Sequence, residues 1–587
     1  MKFPSPKAPS APWLCRAALC ALALAAYANS FGLGLAYDGA QFATADARVQ
    51  SVTWSNLSVI FSKPYWYPVP EDYLYRPLTI LSFLFNHAIL GNGSDPAGYH
   101  WLNFLLHAVA VLLLFELARR LFAEVGLLPA FLAAALWAVH PIGTEAVANL
   151  AGRADLLAAV FLLAALVLYT RPRRTPFTPV YLFFLALAGA LSKETAFVLP
   201  ALLLLCDLSL TAGGSSSSAK PNPRWPSYAA VLAALAAVLL IRRAIFASQP
   251  WPQTEFLDNP LRAAGFFAAR LTALKILGRD LSWLVWPAHL SFDYSYNQIP
   301  LARWRDPLVW LVLALVAEIL IVVTLRRRRD PVLFFAAGFY GITILPASNL
   351  IVLIASVAAV RFSYLPSAGF AIAVAALAFR LPSRRLACLI LGVITLLCAA
   401  RTFARNPAWD SDLALGAADV RTAPASFRTH RLLANALFKQ DPGPNLDAAI
   451  REAEAAWDIL ASLPPVDSSP HAAADLGLFY ELKAERAGGP RTPSGRAWYE
   501  RALAVLESGA AMAEAQRQAF ARAQVAHGRP SAWLGAFDLL YLNLGKAYAA
   551  LGRCSEAEAA FRQSFRNNPA QEQAASALAA LPEACPQ

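Results

Sequence analysis

About eleven stretches of mostly apolar residues, each near the length that crosses a bilayer, set the limits on what this chain can fold into. They run roughly over 12–34, 100–118, 127–147, 154–170, 177–192, 195–210, 226–246, 307–325, 331–348, 364–380 and 386–403. Crossing the hydrocarbon core takes about 20 residues of helix. Inside it, every backbone polar group must be satisfied within the segment or in a closed barrel. Runs this long select helices. The predicted fold class is therefore all-α, a polytopic helical membrane domain. The composition agrees: 58% of the 587 residues are hydrophobic and 15% charged, against about 25% charged in a soluble domain. An ordinary soluble enzyme and a disordered chain are both excluded.

The net charge of +12 does not point to nucleic acid. Lys and Arg gather in the short connections between apolar runs, which is the positive-inside pattern. Lys2, Lys7 and Arg16 flank the first run. Arg119 and Arg120 follow the second, Arg171, Arg173 and Arg174 the fourth, and Lys220 and Arg224 the sixth. Arg326 to Arg329 follow the eighth, and Arg380, Arg384 and Arg385 the tenth. Every even-numbered exit is basic. The expected threading has the N-terminus inside and, with eleven spans, the C-terminus outside. Ala26-Tyr27-Ala28 also resembles a signal-peptide cleavage site, but the anchor reading keeps the residues just beyond it at the membrane. Two long segments then fall outside, 35–98 and 247–306. The second holds a basic amphipathic stretch from Arg262 to Trp286, expected to lie along the membrane face or to re-enter it.

The membrane domain is expected over 1–403. Beyond 404, apolar runs give way to Ala-rich amphipathic helices, an expected extracytoplasmic domain over 404–587. Residues 538–571 fit a tetratricopeptide repeat, a helix–turn–helix unit of about 34 residues, with Tyr541, Leu544, Gly545, Tyr548, Ala557, Phe561, Ser564 and Pro569 in place. Stretches 428–461 and 496–526 read as degenerate helical hairpins. Stacking of such units is needed to bury their faces. The seven cysteines form no metal motif. Cys554 and Cys585 are a candidate pair if this region is outside the cytosol.

Ionisable groups at membrane depth are costly and usually functional. Asp38 stands just after the first span. His140 and Glu145 close the third, Arg153 and Asp155 open the fourth, Lys193 and Glu194 interrupt the fifth and sixth, Arg242 and Arg243 close the seventh, and Arg361 precedes the tenth. By the threading, all face outside. A carboxylate there suits a general base on an acceptor hydroxyl, and cations suit a departing phosphate. Structural readings stand beside these: Arg153–Asp155 and Lys193–Glu194 as ion pairs, Arg242 and Arg243 as headgroup anchors, and His100, Asn103 and His107 as interhelical hydrogen-bonding groups rather than metal ligands. Asp38 has no comparable structural duty.

These residues resemble the transmembrane and tetratricopeptide-repeat O-mannosyltransferases of the GT-C glycosyltransferase class and their bacterial relatives. The resemblance runs through Tyr75-Arg76-Pro77-Leu78-Thr79, Tyr99-His100 with Asn103 and His107, His140-Pro141-Ile142-Gly143-Thr144-Glu145-Ala146-Val147, Gly152-Arg153-Ala154-Asp155 and Ser192-Lys193-Glu194-Thr195. It continues through Leu290-Ser291 with Asp293-Tyr294, Ser348-Asn349-Leu350, and Arg361 to Phe370. It implies a GT-C-type membrane domain and transfer of a sugar, mannose by family, from a polyprenyl-phosphate-linked donor to a protein or glycan acceptor. Asp38 is then the base and Glu145 the second acidic candidate. Arg153, Lys193, Arg361, Arg270 and Lys275 are candidates for the donor phosphate, with Arg76, His100, His140, Asp155 and Glu194 supporting. Two departures stand out. Gly39 replaces a second acid, which weakens a two-carboxylate metal site, and Val360 replaces a Glu before Arg361.

No cofactor is implied beyond the lipid-phosphate-sugar donor, and no divalent metal is required. The expected partners are membrane lipid, that donor and a protein or peptide acceptor held by the repeat region, with no nucleic acid. Few Lys beside many Ala, Arg and Pro suggest a bacterial inner membrane with the C-terminal region in the periplasm. Two other readings compete: a non-catalytic membrane scaffold presenting the repeats, and a transporter of a lipid-linked glycan.

Overall fold

The computed structural model describes residues 12–68, 73–173, 175–210, 224–247, 256–526 and 537–584. Lys2, Lys7, Arg174, Lys220 and Cys585, which enter the expectations above, lie outside them. The chain is all-α, with no strand among the described residues. Helix occupies each of the eleven apolar stretches: Pro12–Tyr27, Pro96–Leu121, Leu127–Val139 with Thr144–Val147, Arg153–Tyr169, Thr178–Ser192, Leu199–Leu210, Trp225–Phe246, Pro307–Leu325, Pro331–Ile344, Pro366–Ala378 and Arg384–Arg405. Among the described residues, six helical stretches are long and apolar enough to cross a membrane, and a seventh is the pair Leu127–Val139 and Pro141–Val147, bent by 49°. The remaining apolar helices are shorter.

Local chemistry explains where these helices begin. Pro occupies the first turn at Pro12, Pro96, Pro307, Pro331 and Pro366, where its missing N–H costs nothing and its φ is already helical. Asp95 accepts from the Ala97 N–H at 3.1 Å, Asp306 from Leu308 at 3.1 Å and Ser383 from Leu386 at 3.3 Å, each satisfying a free helix-end donor. One core joins the bundle. Ala133, Ala134, Ala138, Ala159 and Ala165 are fully buried in it beside Leu114, Phe115, Leu163 and Phe335. Small side chains let the helices touch where the surrounding lipid supplies no hydrophobic drive.

The amphipathic stretch expected over Arg262 to Trp286 is helical from Phe266 to Val285. Ala269, Thr272, Ala273, Ile276 and Trp283 are buried along one stripe, and Phe267, Val285 and Trp286 are exposed. In the first long connection, the buried Arg48 guanidinium is gripped by Asp46 at 2.7 Å and donates to the carbonyls of Pro64 at 3.0 Å and Tyr65 at 2.7 Å. This pair organises an aromatic cluster of Phe42, Tyr65, Phe83 and Tyr99.

Beyond Arg405 the helices pair in sequence order. Phe427–Gln440 packs on Pro442–Leu460, Pro470–Arg486 on Pro493–Ala526, and Asp538–Ala550 on Cys554–Asn567. One expectation is corrected here: 496–526 is not a hairpin but part of the single helix Pro493–Ala526. Between Arg496 and Ala526 the only breaker is Gly509, and one Gly costs only about 1 kcal/mol among good helix formers. Its hairpin partner lies upstream, at Pro470–Arg486. The 538–571 unit is a helical hairpin. An added Cβ at Gly545 would lie 2.5 Å from the Phe561 ring, and Ser564 donates to the Asp538 carbonyl at 2.8 Å. Gly545→Ala is expected to destabilise the helical tail by about 1–3 kcal/mol through overpacking, read as earlier protease cleavage in the full chain. Cys554 is disulfide-bonded.

Candidate active site

The ionisable residues singled out from the sequence sit at helix ends, and the fold brings most of them into one chain of charges. Glu145, in the short second helix of the bent pair, is buried. Its carboxylate accepts from the Arg361 backbone N–H at 2.8 Å and from the Arg361 guanidinium at 2.6 Å. That is a charge-assisted, two-point grip. Lys193 Nζ lies 2.5 Å from Asp155. Glu194 accepts from Arg76 at 2.8 and 3.0 Å and from Arg242 at 2.9 Å. Arg242 also donates to the Tyr73 carbonyl at 2.7 Å, and Arg76 lies over the Tyr65 ring at 5.1 Å. The pairs suggested by adjacency in sequence, Arg153–Asp155 and Lys193–Glu194, are not formed. Neighbours at a helix start or in a turn point apart, and each finds its partner on another element. Arg242 is likewise an ion-pair partner rather than a headgroup anchor.

Asp38 opens a short helical turn, Asp38–Ala40, just past the first membrane helix. Its carboxylate makes no hydrogen bond and no ion pair among the described residues. Arg361 and Arg428 lie within electrostatic range on one side and Asp412 on another. Burial raises the Asp38 carboxyl, the two guanidiniums pull it back, and Asp412 pushes it up again, leaving it at about 6. Across the cluster, burial also works against the charge of Glu194, but Arg76 and Arg242 outweigh it and hold that carboxyl at about 2. Burial lowers Lys193 despite Asp155. Asp38 is thus the acid of the cluster whose ionisation is not already committed to a partner.

Other candidates stand apart from this chain of charges. Arg153 is fully buried and donates to Asn103 at 2.8 Å, Asn86 at 2.6 Å, the Ser82 carbonyl at 3.2 Å and the Tyr99 carbonyl at 3.0 Å. Its guanidinium is occupied by the protein. Arg270 donates to the carbonyls of Asn349 at 3.1 Å and Ile351 at 3.3 Å, and Lys275 pairs with Asp306 at 2.9 Å. Both hold connections around the amphipathic helix. His100 bonds the Gly34 carbonyl at 3.2 Å, below the Asp38 turn. His107 bonds the Tyr364 hydroxyl at 2.8 Å and the Ala138 carbonyl at 2.9 Å, and His140 the Leu284 carbonyl at 3.0 Å. His107 and Asn103 tie helices together, as their spacing suggested. At Gly39, an added Cβ would lie 3.3 Å from that of Leu150, so a second acid there would meet the neighbouring turn. Among the described residues no group of three His, Cys, Asp or Glu is arranged to hold a metal.

Arg428 and Asp412 were not singled out from the sequence. Both lie beyond the membrane helices, more than 370 residues from Asp38, and nothing local marks them. The one signal was a run of acids, Asp410 and Asp412, at the junction between the two regions.

Long apolar helices and a buried charged cluster at their ends define an all-α polytopic membrane protein. The chain is 37% identical over 298 residues to the protein O-mannosyl-transferase Tmtc2 of Drosophila melanogaster, covering 48% of this chain and 30% of that one. It is 30% identical over 429 residues to the protein O-mannosyl-transferase TMTC4 of Mus musculus, covering 64% and 57%. To the protein O-mannosyl-transferase F38B6.6 of Caenorhabditis elegans it is 27% identical over 436 residues, covering 71% and 59%. The similarity is thus to protein O-mannosyl-transferases of several animals. The chain spans between about a third and three fifths of the length of these relatives. No family model and no solved structure matches it.

Proposed function

We propose that the protein is a GT-C-type glycosyltransferase that moves a sugar, mannose by family, from a polyprenyl-phosphate-linked donor to a hydroxyl of a protein or glycan acceptor. The supporting observation is Asp38: an unpaired carboxylate at a membrane end, with a pKa pushed up to about 6, within electrostatic range of the Arg361 and Arg428 guanidiniums. In this reading Asp38 takes the proton of the acceptor hydroxyl. The hydroxyl oxygen attacks the anomeric carbon, the bond from that carbon to the phosphate oxygen breaks, and the electron pair leaves on the lipid phosphate. Displacement in one step inverts the anomeric centre. Arg361, Lys193 and Arg76 lie on the phosphate side, where preorganised cations stabilise the charge that develops on the leaving group. Arg361 is the best placed of these, because Glu145 orients it from below and Asp38 lies within its field.

The eleven-span threading, with the N-terminus inside and the C-terminal helices outside, puts this site on the extracytoplasmic face. In a bacterial inner membrane that face is the periplasm. The helical tail, with its tetratricopeptide-like hairpin over 538–571, holds the acceptor. No step in this scheme calls for a metal ion.

The pH dependence tests the assignment. A base must be ionised to accept a proton, so activity rises as pH passes upward through its pKa. With labelled polyprenyl-phosphate-mannose and purified protein, kcat/KM is expected to fall with decreasing pH about a midpoint near 6. An ordinary aspartate would place it near 4. Activity that stays level down to that lower value removes Asp38 as the base.

A further inference from the structure

The turn that carries Asp38 is fastened from outside the membrane domain. Tyr37 has φ 52° and ψ −130°. Positive φ is a genuine outlier for a bulky side chain, and such backbone persists only where its surroundings over-determine it. Two contacts do so. The Tyr37 N–H donates to Asp412 Oδ1 at 2.7 Å, and the Tyr37 ring packs on Phe292 with centroids 4.8 Å apart. Three residues earlier the Gly34 N–H donates to Asp410 Oδ1 at 3.0 Å. The two backbones are so close there that a Cβ at Gly34 would lie 2.6 Å from the Asp410 carbonyl oxygen. Asp412 is itself fixed as the first residue of the helix Asp412–Asp419, capped by Ser411.

Phe292, the second hold on Tyr37, is tied to the same region. Its N–H donates to Asp419 at 2.6 Å, and Asp419 pairs with Arg405 at 2.7 Å. Arg428, on the next helix, pairs with Asp258 and lies 3.9 Å from Asp293. Residues 256–306 of the second long connection, the Asp38 turn and the first helices after the membrane domain therefore meet at one junction.

We propose that Asp412 is a positioning residue for Asp38: it holds the Tyr37 backbone in its strained conformation, so the C-terminal helical region completes the catalytic face rather than only presenting an acceptor to it. The catalytic half of this inference rests on the glycosyltransferase reading above; the fastening itself does not. A carboxylate beside Asp38 also opposes its ionisation. The charged groups within range of Asp38 are Arg361 and Arg428, which favour its charge, and Asp412, which disfavours it.

The test uses the full chain in lipid nanodiscs and two variants. Asp412→Asn keeps an oxygen for the Tyr37 N–H and removes the charge. Asp412→Ala removes both. Amide hydrogen exchange over 34–40 is read by mass spectrometry, and kcat, acceptor KM and the pH profile are measured in parallel. In Asp412→Ala, exchange at Tyr37 is expected to rise on the order of tenfold or more, as loss of a hydrogen bond to a charged acceptor implies. Its kcat is expected to fall about 10- to 100-fold, the scale of a small misplacement of a reacting group, with acceptor KM unchanged. Asp412→Asn is expected to keep the protection and most of kcat, and to move the acid limb of the pH profile to lower pH. That shift is a readout a merely structural residue would not move, and it survives if Asp412→Ala does not fold. Unchanged exchange in Asp412→Ala overturns the fastening. Raised exchange with unchanged kcat overturns the positioning role. Wild-type protein that transfers no sugar from any polyprenyl-phosphate donor overturns the glycosyltransferase reading and the positioning role with it, and is told apart because wild-type activity, not the variant's, is then missing.

Discussion

Asp38→Asn is expected to lower sugar transfer by between about 10²- and 10⁴-fold, the usual contribution of a positioned general base, without unfolding the protein. The amide keeps the size and polarity of the carboxylate and loses only its capacity to take a proton. No structural contact is lost, because the Asp38 carboxylate bonds to nothing among the described residues, unlike Glu145 or Glu194. The sign of the stability effect follows from its raised pKa. A folded-state value near 6, above the ordinary 3.8, means that the fold disfavours the ionised form. Wild-type stability therefore declines as pH rises from about 4 through 6, and the neutral amide escapes that penalty. The variant is expected to melt no lower than wild type at pH 5 and higher at pH 7.5. Thermal unfolding at both values, beside release of labelled sugar, decides the matter. Retained transfer in a folded variant would take Asp38 out of the mechanism. A variant that melts lower at both pH values would make it a structural residue.

Hydropathy located helix in each of the eleven apolar stretches, because helix is the state open to a long apolar segment in lipid. Charge at the helix ends found most members of the charged cluster, because ionisable groups persist there only for a reason. Neither pattern carries pairing. Lys193 and Glu194 are adjacent in the chain, yet one meets Asp155 and the other meets Arg76 and Arg242. That choice is made by how three helices and a long connection pack, a tertiary fact with no local signature. The helix Pro493–Ala526 failed to show for the opposite reason. Its sequence was locally uniform, and a boundary was expected from the repeat pattern rather than from any breaker. Asp412 and Arg428 were invisible because their meaning depends on the junction of two regions.

Arg153→Lys is expected to destabilise the protein by about 3–5 kcal/mol, the scale of breaking a buried, fully bonded charge, seen as a large drop in melting temperature and in the monodisperse fraction after solubilisation. Sequence alone made Arg153 a candidate for the donor phosphate. Four of its five N–H donors are taken, and the side chain is fully buried. Nε and both terminal nitrogens are spent on Asn103, Asn86 and the carbonyls of Ser82 and Tyr99, and the guanidinium lies 4.4 Å from the centroid of Phe83. Asn103 passes the connection on, donating to the carbonyls of Val147 at 3.3 Å and Asn149 at 3.1 Å, beside the turn that presents Glu145. Arg153 thus fixes the helix Pro96–Leu121, the first long connection and the Glu145 turn to one another. A lysine keeps the charge but is a single point donor, without the planar fork that reaches several acceptors at once. The Asn103 and Asn86 oxygens would be left without their partner, and an ammonium would be buried among neutral groups. A phosphate ligand would behave differently. There the lysine variant would keep its melting temperature and raise the donor KM. If that pattern is observed, Arg153 belongs to the donor site after all. If stability falls and the folded remainder binds donor as wild type does, the phosphate is left to Arg361, Lys193 and Arg76, the cations that share a cluster with Asp38.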